Sequence, residues 1–362
     1  MTGNGVMQMK RLIGAGLALT LVSVSYTTAL AGDPNRYVDR HDWPLWSTTY
    51  FSDVARDTPI DGELVDAIRY ELIRGYPVTA TDELGYEDRE FRFEQPMTRA
   101  EFATVLSRSQ GLGVEDGAGA EWFVPHVTAL TGHGVIPSDA SQDWAAPISR
   151  REAGQWMGRA AGAFGADDNA SGMTFADVDD PLILRALRAG IVKGTGEGRY
   201  EPDRALLRVE AAVMLLRLAR ARNSAGNADN PAVIEALQNV VREADRQAAV
   251  RGKKTVDQGY LEPPELGGVL TQELADQIWY RSRANLQARG DRPLAWTESP
   301  ADSYRFTVSE AHDTIAELHV CAHAVVYSYE LGDENHVFFE QDYCERQFLV
   351  LLNGQWLIAG AR

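Results

Sequence analysis

The sequence predicts a multi-domain protein: an all-α region of three repeated units, a helical linker, and a small α+β domain with a curved antiparallel sheet. Between residues 51 and 220 one pattern occurs three times: an apolar helical segment ending at Gly, a loop with an aromatic residue and Pro, and a helix opening with Arg-x-Glu. Apolar residues then recur at alternating spacings of three and four. Strand-like runs dominate from about residue 304.

The composition limits the classes of partner. The chain has 362 residues, of which 44% are hydrophobic, and a formal net charge of −17. That length is enough for two or three domains. A strongly acidic chain repels nucleic acid and anionic lipid at long range, so we expect no nucleic-acid partner. Any anion that it binds must meet a local cluster of Arg.

The N-terminus has the pattern of a secretory signal peptide, predicted over residues 1–31. Lys10 and Arg11 precede an apolar run over residues 12–24, and Ala29-Leu30-Ala31 matches an A-x-A cleavage site. The apolar run is short for a membrane span. We therefore expect an exported protein with no membrane span in the mature chain.

The three repeats are predicted to occupy residues 48–112, 113–168 and 169–222, after an N-terminal segment over residues 32–47. Their second helices open at Thr98-Arg99-Ala100-Glu101, Ser149-Arg150-Arg151-Glu152 and Leu207-Arg208-Val209-Glu210. Phe51-Ser52-Asp53-Val54 and Phe175-Ala176-Asp177-Val178 precede the first and third copies. One copy is too small to bury its own apolar stripe, so the copies should pack around a shared core.

These residues resemble the S-layer homology (SLH) family, whose modules have an F-x-D-V start, a G-I-I-like turn, an F-x-P loop and a T-R-A-E helix start. The resemblance covers roughly residues 48–222. The middle copy lacks a clear F-x-D-V, and the third has Leu207 where the family has Thr or Ser. The resemblance implies a pseudo-threefold trimer of modules with a groove at each junction.

The helix starts have two interpretations. Thr98 and Ser149 are typical N-caps, with Glu101 and Glu152 placed to complete a capping box. Arg in a first turn opposes the helix dipole by roughly 0.3–1 kcal/mol, so capping does not explain it. Free backbone N–H groups together with a guanidinium would form an anion site. A salt bridge from each Arg to a neighbouring unit is the alternative.

The SLH resemblance implies that Arg99, Arg150 and Arg208 hold an acidic, often pyruvate-bearing, cell-wall sugar. It further implies pocket-shaping residues, which are Thr98, Glu101, Ser149, Glu152 and Glu210. Trp122 and Trp144 either stack on sugar rings or pack in the core. The implied protein is a non-catalytic anchor at the cell wall or cell surface (the periplasm or outer envelope of a two-membrane cell). Its partner would be a wall polysaccharide or a peptidoglycan-linked polymer.

Residues 223–268 are predicted to form a linker with an amphipathic helix. Polar residues over 222–231 precede an apolar seam, which comprises Ile234, Leu237, Val241, Ala244 and Ala248. Two heptads are few for a free coiled coil, so we expect this helix to dock onto a domain.

Residues 269–362 are predicted to form the α+β domain. A helix containing Leu274, Ile278, Trp279 and Leu286 precedes four strand-like runs, over residues 304–309, 316–329, 337–352 and 355–359. This order is similar to that of the nuclear transport factor 2-like superfamily. Such domains serve as enzymes, ligand pockets or dimerisation modules. An interaction domain, with homo-oligomerisation through it, and an anchored enzyme or ligand-binding protein are therefore both open.

A hairpin turn at Gly332-Asp333 would place Cys321 opposite Cys344. These are the two cysteines of an expected exported chain, so a cross-strand disulfide is predicted. Closing a loop of this length stabilises by about 3 kcal/mol in the chain-entropy model. The same register places His323 opposite Asp342 and His319 opposite Arg346.

This strand face carries residue types that could bind a metal or take part in catalysis. His319, Cys321 and His323 share the face, but zinc would need Cys344 reduced in an oxidising compartment. We expect no metal and no cofactor. A His323–Asp342 pair could orient a general base. No convincing nucleophile accompanies it, so the expected protein is not an enzyme, and a site at His323 and Asp342 is the alternative.

Overall fold

The computed structural model describes residues 51, 53, 62–81, 87–138, 143–166, 172–222, 227–258, 268–276, 278–279, 282, 295–328 and 336–361. The expected signal peptide and the segment 32–47 lie outside these residues. Among the described helices, none has the length and apolar character needed to cross a membrane.

The described residues of the N-terminal part include six α-helices with these bounds: α1 Gly62–Arg69, α2 Arg99–Ser109, α3 Val124–Gly132, α4 Arg150–Ala163, α5 Pro181–Arg188 and α6 Arg208–Ala221. It also contains two antiparallel strands, β1 (Tyr76–Thr81) and β2 (Glu87–Glu90). The expectation that this region is all-α is therefore wrong at the hairpin. The β-branched residues of β1 favour an extended backbone. The repeat pattern predicted only helices here, so this strand propensity was not recognised.

The helices pack in a cyclic order. Helix α3 packs on α2, α5 packs on α4, and α1 packs on α6, the last helix of the group. The backbone of α5 comes so close to α4 that a Cβ at Gly158 would lie 2.0 Å from the carbonyl oxygen of Leu182. The first helix of each repeat thus lies against the second helix of the preceding repeat, and the chain closes on itself.

A ring of backbone hydrogen bonds lies at the centre of this arrangement. The Met97 N–H donates to Leu206 O at 3.0 Å, Leu206 N–H to Ile148 O at 2.9 Å, and Ile148 N–H to Met97 O at 2.8 Å. All three side chains are fully buried. Each residue comes two positions before the Arg of a helix start, so the ring brings the three helix starts together around one axis.

The C-terminal part combines a long helix with a five-stranded antiparallel sheet. Its elements are α7 Pro231–Gln258, β3 Ala295–Glu298, β4 Arg305–Ala311, β5 Ile315–Ser328, β6 His336–Leu352 and β7 Gln355–Ala361. The strand order is β3-β5-β6-β7, and β4 also pairs with β5. Strand β3 was not predicted from the sequence. Leu274 and Ile278 are buried, and Leu286 lies outside the described residues.

Both faces of the sheet are covered by other parts of the chain where β5 begins and β6 ends. One face packs against the seam of α7, where Leu237 and Val241 join a core with Leu318 and Val320. On the opposite face, four side chains join the core of the helical region, namely Ile315, Phe348, Val350 and Ala359. The sheet and the helical region therefore share one continuous core across the expected boundary at residue 269.

Polar contacts reinforce this docking. Arg220 of α6 bridges Glu310 of β4 and Asp66 of α1, at 2.9 and 3.0 Å. The Tyr70 hydroxyl donates to the same Glu310 at 2.8 Å. Because these groups come from α1, α6 and β4, they link the first and last repeats to the sheet.

Glu71 is a buried carboxyl in this interface, where it accepts a hydrogen bond from the Thr271 hydroxyl at 2.6 Å. Its side chain is 8% exposed. Burial raises the pKa of Glu71 to about 7, against the opposing effect of Arg74. The folded state therefore binds more protons than the unfolded state between about pH 4.5 and pH 7, and stability falls as pH rises through that window.

We predict that Glu71→Gln removes this part of the pH dependence. Between pH 4.5 and pH 8 the wild type should lose about 1–3 kcal/mol of its free energy of unfolding through Glu71. The variant should not show this loss, because no buried charge forms. Urea unfolding at both pH values measures the difference. The exposed Glu94, changed to Gln, is the control and should keep the wild-type dependence. An E71Q curve parallel to wild type would contradict this assignment.

Candidate functional site

The start of α2 is a complete capping box. The Glu101 N–H donates to the Thr98 hydroxyl at 3.2 Å, and the Glu101 carboxylate accepts from the Thr98 N–H at 2.8 Å. This confirms the capping interpretation for these two residues. It also leaves one carboxylate oxygen of Glu101 for another partner, which is the Tyr76 hydroxyl.

The other two starts depart from this pattern. Ser149 accepts from the Glu152 N–H at 3.2 Å, but the Glu152 carboxylate turns away to Arg99. At α6 the Glu210 carboxylate accepts from the Leu207 N–H at 3.0 Å, and Leu207 has no side-chain acceptor to offer in return. In both cases the Glu is engaged by an Arg of another repeat.

The first N–H groups of these helices are not free. Arg99 N–H donates to Ala146 O at 3.1 Å and Ala100 N–H to Trp144 O at 3.0 Å. Loop carbonyls serve α4 and α6 in the same way, through the pairs Arg150–Arg204, Arg151–Pro202, Arg208–Gln95 and Val209–Phe93. The prediction of an anion site built on free helix N–H groups is therefore wrong, because the loop of a neighbouring repeat supplies acceptors for these groups.

Arg99 lies at the junction of the first and second repeats. Its Nε donates to both Glu152 oxygens at 2.8 and 2.9 Å, and Nη1 donates to Asp143 O at 3.2 Å. Nη2 has no hydrogen-bonding partner among the described residues, and the side chain is 23% exposed. Arg99 is therefore held in one orientation with one donor edge still available.

Arg150 lies at the second junction and is only 4% exposed. Its Nη1 donates to Glu210 at 2.7 Å, and its Nε donates to the carbonyl oxygen of Tyr200 at 2.7 Å. The guanidinium lies over the Tyr200 ring, 4.5 Å from its centroid. Arg204 donates to the same Glu210 at 2.6 and 2.8 Å. This junction is closed by protein groups.

Arg208 lies at the third junction and is also 4% exposed. It donates to the Tyr76 hydroxyl at 3.0 Å and to the Arg74 carbonyl oxygen. Burial lowers the pKa of Arg208 and raises that of Tyr76 to about 12. Because Tyr76 in turn donates to Glu101, its hydroxyl connects the third Arg to the first Glu.

The three contacts form a cycle. Each Arg reaches the Glu of the next repeat, directly at Arg99–Glu152 and Arg150–Glu210, and through Tyr76 from Arg208 to Glu101. The alternative of a salt bridge to a neighbouring unit thus describes the first two junctions. Polymer binding by the residues of the three helix starts stays a prediction.

The two tryptophans belong to one aromatic cluster. Trp144 is half-buried and lies 5.6 Å from Phe123 and 6.3 Å from Trp156, between ring centroids. Trp122 contacts Phe123 edge to face at 5.8 Å. Trp144 packs against the core, yet its backbone oxygen accepts from the residue after Arg99. It therefore lies beside the partly open junction.

Two aspartates have a structural role that was not predicted from the sequence. Asp53 accepts from the Phe91 and Arg92 N–H groups, and Asp177 accepts in the same way from Tyr200 and the next residue. In both copies the second donor has positive φ, 59° at Arg92. The F-x-D-V motif was the signal: its Asp stabilises the strained loop that leads to the helix start.

In the C-terminal sheet the predicted register is confirmed around the cysteines. Cys321 pairs with Cys344 and they form a disulfide, with S–S 2.07 Å. His323 lies opposite Asp342, with Nδ1 to carboxylate at 3.0 Å, and the bond raises the pKa of His323. Both side chains are exposed to solvent, and the predicted turn at 332–333 lies outside the described residues.

A comparison with protein-family models gives a match in the helical region. The family model described as the S-layer homology domain matches residues 183–212, which include most of α5 and the Arg208 helix start. No curated protein matches the chain. The match falls on the third of the three repeats described above. Within residues 183–212 the chain is therefore similar to an S-layer homology domain.

Proposed function

We propose that the chain anchors itself to an acidic cell-wall polymer through three SLH-like modules, of which the matched segment is the third. SLH domains bind cell-wall polymers and imply association with the cell envelope. The ring through Met97, Ile148 and Leu206 supports equivalence of the three units, since each contributes the same donor and acceptor. The cyclic packing of their helices supports it as well.

The binding junction that we propose is the one at Arg99. The observation that carries this choice is exposure: the Arg99 side chain is 23% exposed, whereas Arg150 and Arg208 are almost completely buried. Arg99 also keeps Nη2 unpaired among the described residues. The other two guanidinium groups are occupied by backbone carbonyls and by Glu210 or Tyr76.

The chemistry of this junction suits a carboxylate-bearing sugar. The open edge of the Arg99 guanidinium can donate to a ligand carboxylate, such as a pyruvate group on the polymer. Glu152 fixes the guanidinium in place and can accept from a sugar hydroxyl. Trp144, half-buried beside Arg99, offers an apolar edge for a sugar ring. A local Arg is needed because the chain as a whole is strongly acidic.

Arg99→Gln tests the proposal by co-sedimentation with the purified cell wall of the producing organism. Loss of a charge-assisted hydrogen bond of about 1.5–3 kcal/mol should weaken wall binding by about 10- to 100-fold. Arg108→Gln is the matched control, because Arg108 lies on the same helix in an exposed pair with Asp116. Wild-type binding should also disappear on walls stripped of acidic polymer. If Arg99→Gln sediments with the wall as well as wild type and Arg108→Gln do, the assignment of Arg99 to wall binding is refuted.

For the C-terminal part we propose a non-catalytic interaction role. An anchored enzyme or ligand-binding protein is the second candidate, favoured by the His323–Asp342 contact at 3.0 Å. Release of soluble products from purified wall by the full chain, abolished in His323→Ala, would support the enzyme. Oligomerisation through this part stays a prediction, which sedimentation velocity would measure.

A further inference from the structure

The first repeat has extra length between its first helix and the central ring of backbone hydrogen bonds. The stretch from the positive-φ residue after the first helix to the ring residue covers 71–97 in the first repeat, against 134–148 and 190–206 in the others. The extra length is taken up by the β1–β2 hairpin, of which Tyr76 is the first residue.

The Tyr76 side chain lies in the third junction. Its hydroxyl accepts from Arg208 at 3.0 Å and donates to Glu101. The guanidinium carbons of Arg208 and Arg92 lie 4.3 and 4.5 Å from the centroid of its ring. Tyr76 therefore stands between the Arg of one repeat and the Glu of the next, which at the first junction are in direct contact.

Arg208 is a buried cation without a carboxylate partner among the described residues. Arg99 and Arg150 pair with a Glu at 2.8 and 2.7 Å, whereas Arg208 donates to a hydroxyl and a carbonyl oxygen. Its Nε also lacks an acceptor among those residues. Because a buried charge is costly unless it is paired, this guanidinium would gain more from a ligand carboxylate than the other two.

We infer that Tyr76 closes the third junction to wall polymer and so limits the chain to one polymer site, an inference that rests on the proposed function. Without the ring, Arg208 and Arg92 present two guanidinium groups to the carboxylate of an acidic sugar. Glu101 then offers an acceptor to a sugar hydroxyl. The Arg92 side chain is 39% exposed, so this side of the junction borders solvent.

The test is calorimetric titration of the full chain with soluble, carboxyl-bearing fragments of the purified cell wall. Wild type and Tyr76→Phe should each bind one fragment per chain, because the ring fills the junction in both. Tyr76→Ala should bind two. The double variant Arg99→Gln/Tyr76→Ala should bind one, at the third junction, whereas Arg99→Gln alone should bind none.

One site in both wild type and Tyr76→Ala overturns the inference and leaves the proposed function standing. Two sites in Tyr76→Phe would also overturn it, because the ring would then not be the block. If neither wild type nor Tyr76→Ala binds, the proposed function is refuted and this inference with it. Circular dichroism checks the fold of each variant, and Tyr76→Ser, with the same expected two sites, replaces an unfolded Tyr76→Ala.

Discussion

Arg150→Ala is expected to lower the free energy of unfolding by about 3–5 kcal/mol, the cost of breaking a buried ion pair by removing one partner. The change removes the bond to Glu210 and the bond to the Tyr200 carbonyl, and leaves a void over the Tyr200 ring. Arg204 still neutralises Glu210, so the cost comes from the emptied junction as much as from charge. Urea unfolding measures the loss.

The neighbouring Arg151 is the matched control. It pairs with Asp203 at 2.9 Å, but the two side chains are 42% and 85% exposed. Arg151→Ala should therefore change the free energy of unfolding by no more than about 0.5 kcal/mol. Equal effects of the two substitutions would mean that Arg150 does not hold the second and third repeats together.

Arg220→Ala is the second substitution with a large expected effect, about 2–4 kcal/mol, because it leaves two partly buried carboxylates without their shared cation. Burial alone would raise the pKa of Glu310, but hydrogen bonds from His312 and Arg220 outweigh it and hold that pKa down to about 2. A lowered pKa stabilises the folded state above about pH 4.5, and this stabilisation is lost as pH falls towards 2.

The Arg220 variant should accordingly lose much of the acid dependence of stability that wild type shows between about pH 4.5 and pH 2. Unfolding followed by circular dichroism at pH 3 and pH 7 measures this. Arg151→Ala removes the exposed pair with Asp203 and should leave both values nearly unchanged. A full wild-type acid dependence in Arg220→Ala would show that Glu310 does not depend on Arg220.

The sequence predicted the features that arise from local patterns. Helix starts follow from capping chemistry, and the disulfide follows from a two-residue period counted back from a turn. The count holds from Ile315 to Val326, after which a register shift at Tyr327 breaks it. That irregularity has no local signature in the sequence.

The contacts of the three arginines could not be derived in the same way. Arg99 and Glu152 become neighbours only once the first and second repeats have packed together, and nothing near either residue in the sequence encodes that packing. Tyr76 has no counterpart in the other two repeats, so the repeat pattern does not reveal it. Free helix N–H groups were expected because an isolated helix has them, whereas here a loop of another repeat supplies their acceptors.

The sequence contains a signal for the packing of the sheet against the helical region. Residues 348–352 form a continuous apolar run, which indicates a strand covered on both faces. Phe348 packs against Tyr70 of the helical region at 5.3 Å, and its neighbour Leu349 packs beneath α7. This run was predicted only as a strand of a separate α+β domain, so the shared core was not predicted.

We propose that wall polymer binds at the junction of the first and second repeats, where Arg99 is partly exposed. Protein groups fill the other two junctions. Calorimetric titration of the full chain with soluble, carboxyl-bearing fragments of the wall measures this most directly. The account predicts one binding site per chain, lost in Arg99→Gln and kept in Arg108→Gln. Two or three equal sites, or a single site that survives Arg99→Gln, would contradict it.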